Sequence, residues 1–288
     1  MLYHPSWSPD SCAEIPFVPC GTVHTYTGID DLTISLQGHV LSVTFNRPDS
    51  LNSLTTPMLT TFADTLERAA TDPDVKVVRL GGAGRGFCSG AGISAEDQAA
   101  QAASLSIDDL LVAANRAVQT VVALPKPVVA VVHGPAAGVG VSLALASDVV
   151  LASEKAFFML AFTKIALMPD GGATALVAAA VGRIRAMRMA LLAERIPAAE
   201  ALEYGLVSAV YPHDELEAGV AAAIEKLADG PAVSLRLTKQ AINAATLTGL
   251  DAAIGRETEG QMVLLKSRDF TEGTKAFQQR RPPRFADE

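Results

Sequence analysis

Three short apolar runs, at residues 75–80, 127–132 and 148–152, are separated by segments of helical spacing or small residues, and this alternation is the strongest constraint on the fold. Strand–helix–strand repeats of this kind close by right-handed crossovers into a largely parallel sheet covered by helices, so the fold class is α/β. A hairpin precedes them: residues 32–36 and 40–45 both alternate across Gly38-His39, and Arg47-Pro48 ends the pairing. Residues 55–70 carry Met58, Leu59, Phe62, Leu66 and Ala69 on one helical face, and further helices are expected at 107–124 and 138–146. Beyond Pro197 the pattern is almost wholly helical, at 198–204, 214–228, 232–247 and 251–265. Such helices have no strands of their own to cover, so they must bury their apolar faces on the core or on another subunit.

Charge and cysteine content narrow the function classes. Lys and Arg number 23 against 31 Asp and Glu, a net charge of -8. That balance argues against nucleic acid or an anionic membrane as partner. Aromatic residues make up 5% of the chain, too few for a base-stacking platform. Cys12, Cys20 and Cys88 form neither a C-x-x-C pair nor a Cys/His cluster, so neither a disulfide framework nor a metal site is expected. The first twenty residues lack a basic and then apolar leader, and no run of 18 apolar residues occurs, which reads as a soluble cytoplasmic protein.

Three glycine or serine patterns could carry chemistry. Gly90-Ala-Gly92-Ile-Ser-Ala95 matches a dinucleotide fingerprint, but no strand runs directly into it. Gly140-Val-Ser142-Leu-Ala144, with Asp170 and His213 downstream, has the order of a hydrolase triad. The elbow needs a strand leading straight into the serine, and residues 135–139 intervene. The third pattern is a pair of small-residue turns, at 87–92 and 133–140, each following an apolar strand. Two such turns at neighbouring strand ends can aim two backbone N–H groups at one point, as an oxyanion hole requires, or they can be tight turns packed for their own sake.

These residues carry a resemblance. Gly84-Arg-Gly-Phe87-Cys88-Ser89-Gly90-Ala91 and His133-Gly134-Pro135-Ala136-Ala137-Gly138-Val139-Gly140, followed by Ser147-Asp148, closely resemble the crotonase (enoyl-CoA hydratase/isomerase) superfamily. Asn46-Arg47-Pro48, Met168-Pro169-Asp170-Gly171-Gly172, Glu272-Gly273, Ala276-Phe277 and Arg281-Pro282-Pro283 add to it, from about residue 30 onward. The resemblance implies a crotonase-like fold of repeated ββα units with a C-terminal helical region. Residues 1–28, with Pro5, Pro9, Pro16 and Pro19 and no sustained periodicity, read as an extension; the rest of the chain is then a core that binds and processes acyl-CoA (29–225) and a helical oligomerisation region (226–288). The resemblance also implies a homotrimer or dimer of trimers, with no cofactor beyond the coenzyme A of the substrate itself.

The same resemblance implies site residues. The N–H groups of Ala91 and Val139 would receive the thioester oxygen, with Cys88, Ser89, Gly90 and Gly138 forming the turns around it. Ser142 and Phe162 stand where hydratases carry two water-activating glutamates, and Gly92 stands where an Asp often follows the first turn. A double-bond shift needs only one base, and Asp170 is the carboxylate left near the expected position. Hydration of a 2-enoyl-CoA and non-catalytic acyl-CoA binding are the alternatives. Asp170 could instead serve as the N-cap of a helix starting near Ala173. Glu96 and Asp97 are weaker candidates, expected in solvent, and Arg47, Lys275, Arg280 and Arg281 could reach CoA phosphates.

Overall fold

The computed structural model describes residues 25–97, 99 and 107–286. The extension expected at 1–28 therefore lies, up to residue 24, outside the described residues, as do Cys12 and Cys20. A six-stranded sheet runs in the order β1 (Leu32–Gln37), β2 (Val40–Phe45), β3 (Val77–Gly82), β4 (Val128–Val132), β6 (Val149–Ser153) and β9 (Ala209–Tyr211). Only the β1–β2 hairpin is antiparallel; the other neighbours pair in parallel. Its two-residue turn, Gly38 and His39, has φ of 52° and 68°, the doubly positive geometry that matches strand twist.

Strand alternation divides the core in two. Val78, Leu80, Val128, Ala130 and Val132 face the larger cluster with α1 (Thr56–Thr71), α2 (Ile107–Ala123) and α3 (Val139–Ala146). Val77, Val129, Val131 and Leu151 face the opposite side, against Leu216, Val220 and Ile224 of α6 (Leu216–Ala228). Both faces of the parallel strands are thus covered, which explains why they read as continuous apolar runs.

A smaller sheet joins β5 (Pro135–Ala137), β7 (Phe157–Met159) and β8 (Ile196–Pro197). Strands of two or three residues are too short to show a period, so this sheet and β9 were not expected. Two corrections follow. Residues 135–137 form a strand that Gly138 joins to α3, and α6 does have a sheet to cover.

The remaining helices are α4 (Ala173–Leu192), interrupted at Gly182, α5 (Ala198–Tyr204), α7 (Ala232–Thr246), α8 (Leu250–Leu264) and α9 (Arg268–Gln278). Helix α7 buries only Lys239, whose ammonium donates to the Asp148 carboxylate at 2.9 Å. Asp148 also accepts from the Val128 N–H at 2.7 Å, pinning the starts of β4 and β6 together. Helix α8 buries Leu250, Ala253 and Ile254 in the core but also Glu257 and Gln261. Among the described residues no helix is long and apolar enough to cross a membrane.

Candidate active site

The two glycine turns are pressed directly together. Cys88 accepts from the Ala137 N–H at 2.8 Å and donates its own N–H to the Pro135 carbonyl at 3.1 Å. Gly90 (φ 89°) then sits against the second turn, where an added Cβ would lie 2.9 Å from the Ala137 oxygen. A Cβ on Gly138 (φ 53°) would come within 3.6 Å of the Gly90 Cα. Only glycine combines this backbone conformation with this closeness. The peptides that follow, carrying the N–H groups of Ala91 and Val139, are brought to one place as a consequence. Among the described residues neither N–H has a protein acceptor, whereas the flanking Gly92 N–H donates to Leu54. Val139 is the first residue of α3, so the partial positive charge of the helix end adds to the field there.

Both residues line a cavity of about 580 Å³. Its walls are apolar: Leu59 from α1, Leu110, Leu111 and Ala114 from α2, and Leu265 and Phe270 from the C-terminal segment. Lys275 is the one cation and Asp170 the one carboxylate among the described lining residues. Asp170 is 8% exposed. Burial, a hydrogen bond from Gln261 that favours the ionised form, and the like charge of Glu257 combine to push its carboxyl up to about 7, burial being the largest effect. The Gln261 amide donates to Oδ2 at 2.6 Å, and Oδ1, itself buried, has no hydrogen-bond partner among the described residues.

Asp170 does not cap the helix that follows it. Glu257 of α8 does so from across the core, its carboxylate accepting from the N–H groups of Gly172 at 2.6 Å and Thr174 at 2.8 Å and from the Thr174 hydroxyl. From Asp170 the main-chain oxygen alone reaches the turn, accepting from the Ala173 N–H. Ser142, on α3, donates its hydroxyl to the same oxygen at 3.0 Å, so it supports the Asp170 backbone from behind.

The other residues expected around the thioester stand at or beside the turns rather than in the described cavity wall. Cys88, Ser89, Gly90 and Gly138 build the turns but are not among the described cavity-lining residues. The Ser89 hydroxyl donates to the Ser50 carbonyl, and the Cys88 thiol is buried, its pKa pushed up to about 12. Phe162 is buried with its ring against Gly138, outside the cavity wall. Among the described residues Ser142 has no histidine beside it, and His213 contacts Ser153 instead, so these residues do not assemble the hydrolase triad.

Asp97, expected in solvent, is buried and ion-paired with Arg47 at 2.7 Å. Its carboxyl fills the space that a side chain at Gly92 would need, 2.6 Å from an added Cβ. That pairing occupies Arg47, just as the pairing with Glu272 occupies Arg281. Lys275 is exposed at the cavity and Arg280 lies in solvent. Glu96 is exposed. Among the described residues no three His, Cys, Asp or Glu side chains stand together to hold a metal ion.

Three residues were not singled out by sequence. Asn52 (φ 60°) is fully buried and donates to the carbonyls of Ala83, Gly86 and Phe87, holding the glycine-dense loop that leads to the first turn. Glu257 and Gln261 lie on the face of α8 that also carries Leu250, Ala253 and Ile254. Polar residues at core positions of a helical repeat are the signal that could have found them.

Among the described residues, two backbone N–H groups without protein acceptors and one buried carboxylate stand around an apolar cavity, an arrangement chemically able to bind a carbonyl oxygen and move a proton beside it. The enoyl-CoA hydratase/isomerase family model matches residues 35–288. The chain is 37% identical over 250 residues to the 1,2-epoxyphenylacetyl-CoA isomerase of Escherichia coli, covering 85% of this chain and 94% of that protein. It is 40% identical over 244 residues to a probable enoyl-CoA hydratase of Rhodobacter capsulatus, covering 84% and 93%. Among solved structures, an enoyl-CoA hydratase from Mycobacterium avium subsp. paratuberculosis superimposes with a TM-score of 0.84 at 65% identity, covering 90% of this chain and all of that one. The chain belongs to the enoyl-CoA hydratase/isomerase family, the crotonase superfamily of acyl-CoA-processing proteins, with the ββα repeats and C-terminal helices of that fold.

Proposed function

We propose that this protein is an enoyl-CoA isomerase whose single proton-transfer group is Asp170. The observation that carries the reading is that Asp170, with one carboxylate oxygen unpartnered, is the sole carboxylate among the described residues of the cavity that holds the two free N–H donors. The thioester oxygen of a 3-enoyl-CoA accepts from Ala91 and Val139, and Asp170 removes a proton from the carbon next to the carbonyl. The electron pair moves onto the oxygen, where the two N–H groups stabilise the dienolate as it forms. The same carboxyl returns the proton two carbons further along, so the double bond shifts to the 2-position and nothing is consumed. A carboxyl titrating near 7 suits both halves of that transfer at neutral pH.

The cavity wall fits an acyl group that is itself apolar, and exposed Lys275 could meet a CoA phosphate. Hydration is the second reading, favoured by the names of two of the relatives above. It asks for a second carboxylate to position water, and Ser142 and Phe162 occupy those family positions. Apolar side chains left exposed on α4 (Ile184, Leu191, Leu192) and α7 (Val233, Leu237, Ile242) support assembly into a trimer or dimer of trimers, with residues 226–288 contributing.

Asp170→Asn tests the reading. Isomerase turnover on a panel of 3-enoyl-CoA substrates should fall by roughly two to four decades while acyl-CoA affinity is kept. Robust hydration of a 2-enoyl-CoA by the unmodified protein would overturn the isomerase assignment. Micromolar acyl-CoA binding without turnover on any enoyl-CoA would make the chain a binder.

A further inference from the structure

A carboxylate next to a helix start has two competing fates. It can cap the helix, which lowers its basicity, or it can stay free in an apolar wall, which raises it. Asp170 precedes α4 by two glycines, so both fates are open to it. What decides between them is a third element, α8, which arrives from more than eighty residues later and presents two polar side chains one turn apart. Glu257 is 1% exposed and takes the Gly172 and Thr174 donors at the α4 N-terminus; Gln261, equally buried, takes one oxygen of Asp170. Gln261 is itself oriented, since its carbonyl oxygen accepts from the Met168 N–H at 3.4 Å. That bond leaves its amide group to face Asp170.

We propose that Glu257 and Gln261 are a positioning pair for the proton-transfer carboxylate: Gln261 clamps Oδ2 and so fixes the orientation of the carboxylate, leaving Oδ1 without a partner, and Glu257 occupies the helix end that Asp170 would otherwise cap. This deepens the isomerase reading and rests on it for the word proton-transfer, but the pair itself is a property of the free protein. The two members act on Asp170 in opposite senses. Gln261 donates to the ionised form and favours it, while the negative charge of Glu257 disfavours it. Among the described residues the other charges near the group are Arg256, beside Glu257, and Lys275, which lines the same cavity.

The test follows the Asp170 carboxyl by ¹³C NMR of the full-length free protein, assigned by comparison with Asp170→Asn, alongside pH profiles of kcat/KM for isomerisation. Gln261→Met removes the donor at similar volume. It should move the Asp170 midpoint, and with it the acid limb of the profile, up by about one pH unit, so that activity lost at pH 7 returns at higher pH. Glu257→Gln should move the midpoint down by a similar amount. Opposite shifts support the pair. Folded variants with unmoved midpoints, or midpoints moving the same way, would overturn it. Should the variants not fold, the wild-type protein still decides: the Gln261 side-chain amide resonance must follow the Asp170 titration, and an amide that ignores it sinks the clamp. Opposite shifts in a protein that isomerises nothing would leave the pair standing and remove only the isomerase reading.

Discussion

Replacing Asp170 with asparagine should stabilise the protein at neutral and alkaline pH while disabling it, and the size of the effect follows from the site. The carboxyl titrates near 7 in the native protein against an ordinary value of 3.8. The native state therefore holds this proton more tightly than the unfolded chain does. Below about pH 4 both states are protonated and burial of the group carries no charge penalty. As pH rises from about 4 to 7 the unfolded chain ionises while the native site stays neutral, and stability is lost at about 1.36 kcal/mol per pH unit. Above pH 7 the loss is complete, and the rise from 3.8 to about 7 makes it about 4 kcal/mol. Asparagine keeps the size and an oxygen that can accept from Gln261 but cannot ionise. Glu257, whose carboxyl is also raised by burial, is present in both proteins and cancels in the difference.

Thermal unfolding of wild type and Asp170→Asn at equal protomer concentration, from pH 4 to 8, should show curves that coincide at the acid end and diverge by roughly 10 °C at the alkaline end. A Tm difference that does not change with pH would refute the argument, because it would mean that ionising Asp170 in its native place costs nothing. As the proposed base, Asp170 would be held out of solvent and out of a helix cap at the expense of stability, the trade-off that active sites commonly make.

Ala91→Pro deletes one of the two free N–H donors and should cost roughly 3–4 kcal/mol of transition-state stabilisation. It should also abolish most of the red shift of a bound conjugated dienoyl-CoA, and an unchanged shift in a folded variant would count against Ala91. Gly90→Ala places a Cβ 2.9 Å from the Ala137 oxygen at a φ of 89°, so it should lower stability by about 1–3 kcal/mol and spread the two donors. Chemical denaturation with parallel turnover measurements checks both. Cys88 should resist a thiol reagent in the native protein and react only on unfolding, read by mass spectrometry of its peptide. Light scattering should give a mass of three or six protomers, and a clean monomer at micromolar concentration would refute the assembly.

Much of the architecture was legible because it rests on local rules. The hairpin, α1 and the parallel strands β3, β4 and β6 announce themselves by periods of two and 3.6 and by continuous apolar runs, since burial on one or both faces leaves its mark on every residue. The two glycine turns were legible for a similar reason: positive φ and close backbone approach exclude side chains, so Gly90 and Gly138 are written into the sequence. The fate of Asp170 was not. Its neighbours Pro169, Gly171 and Gly172 are equally compatible with a cap and with a base, and the residues that choose, Glu257 and Gln261, lie on a helix whose pairing with this turn no local pattern encodes. Likewise, Asp97 and Arg47 each look like surface charges until the fold brings them to 2.7 Å across fifty residues. Sequence determines which backbone shapes are permitted at each position. Only the tertiary structure decides which distant polar groups share a buried space, and it is that sharing which sets whether a carboxyl is a cap, an ion pair or a base.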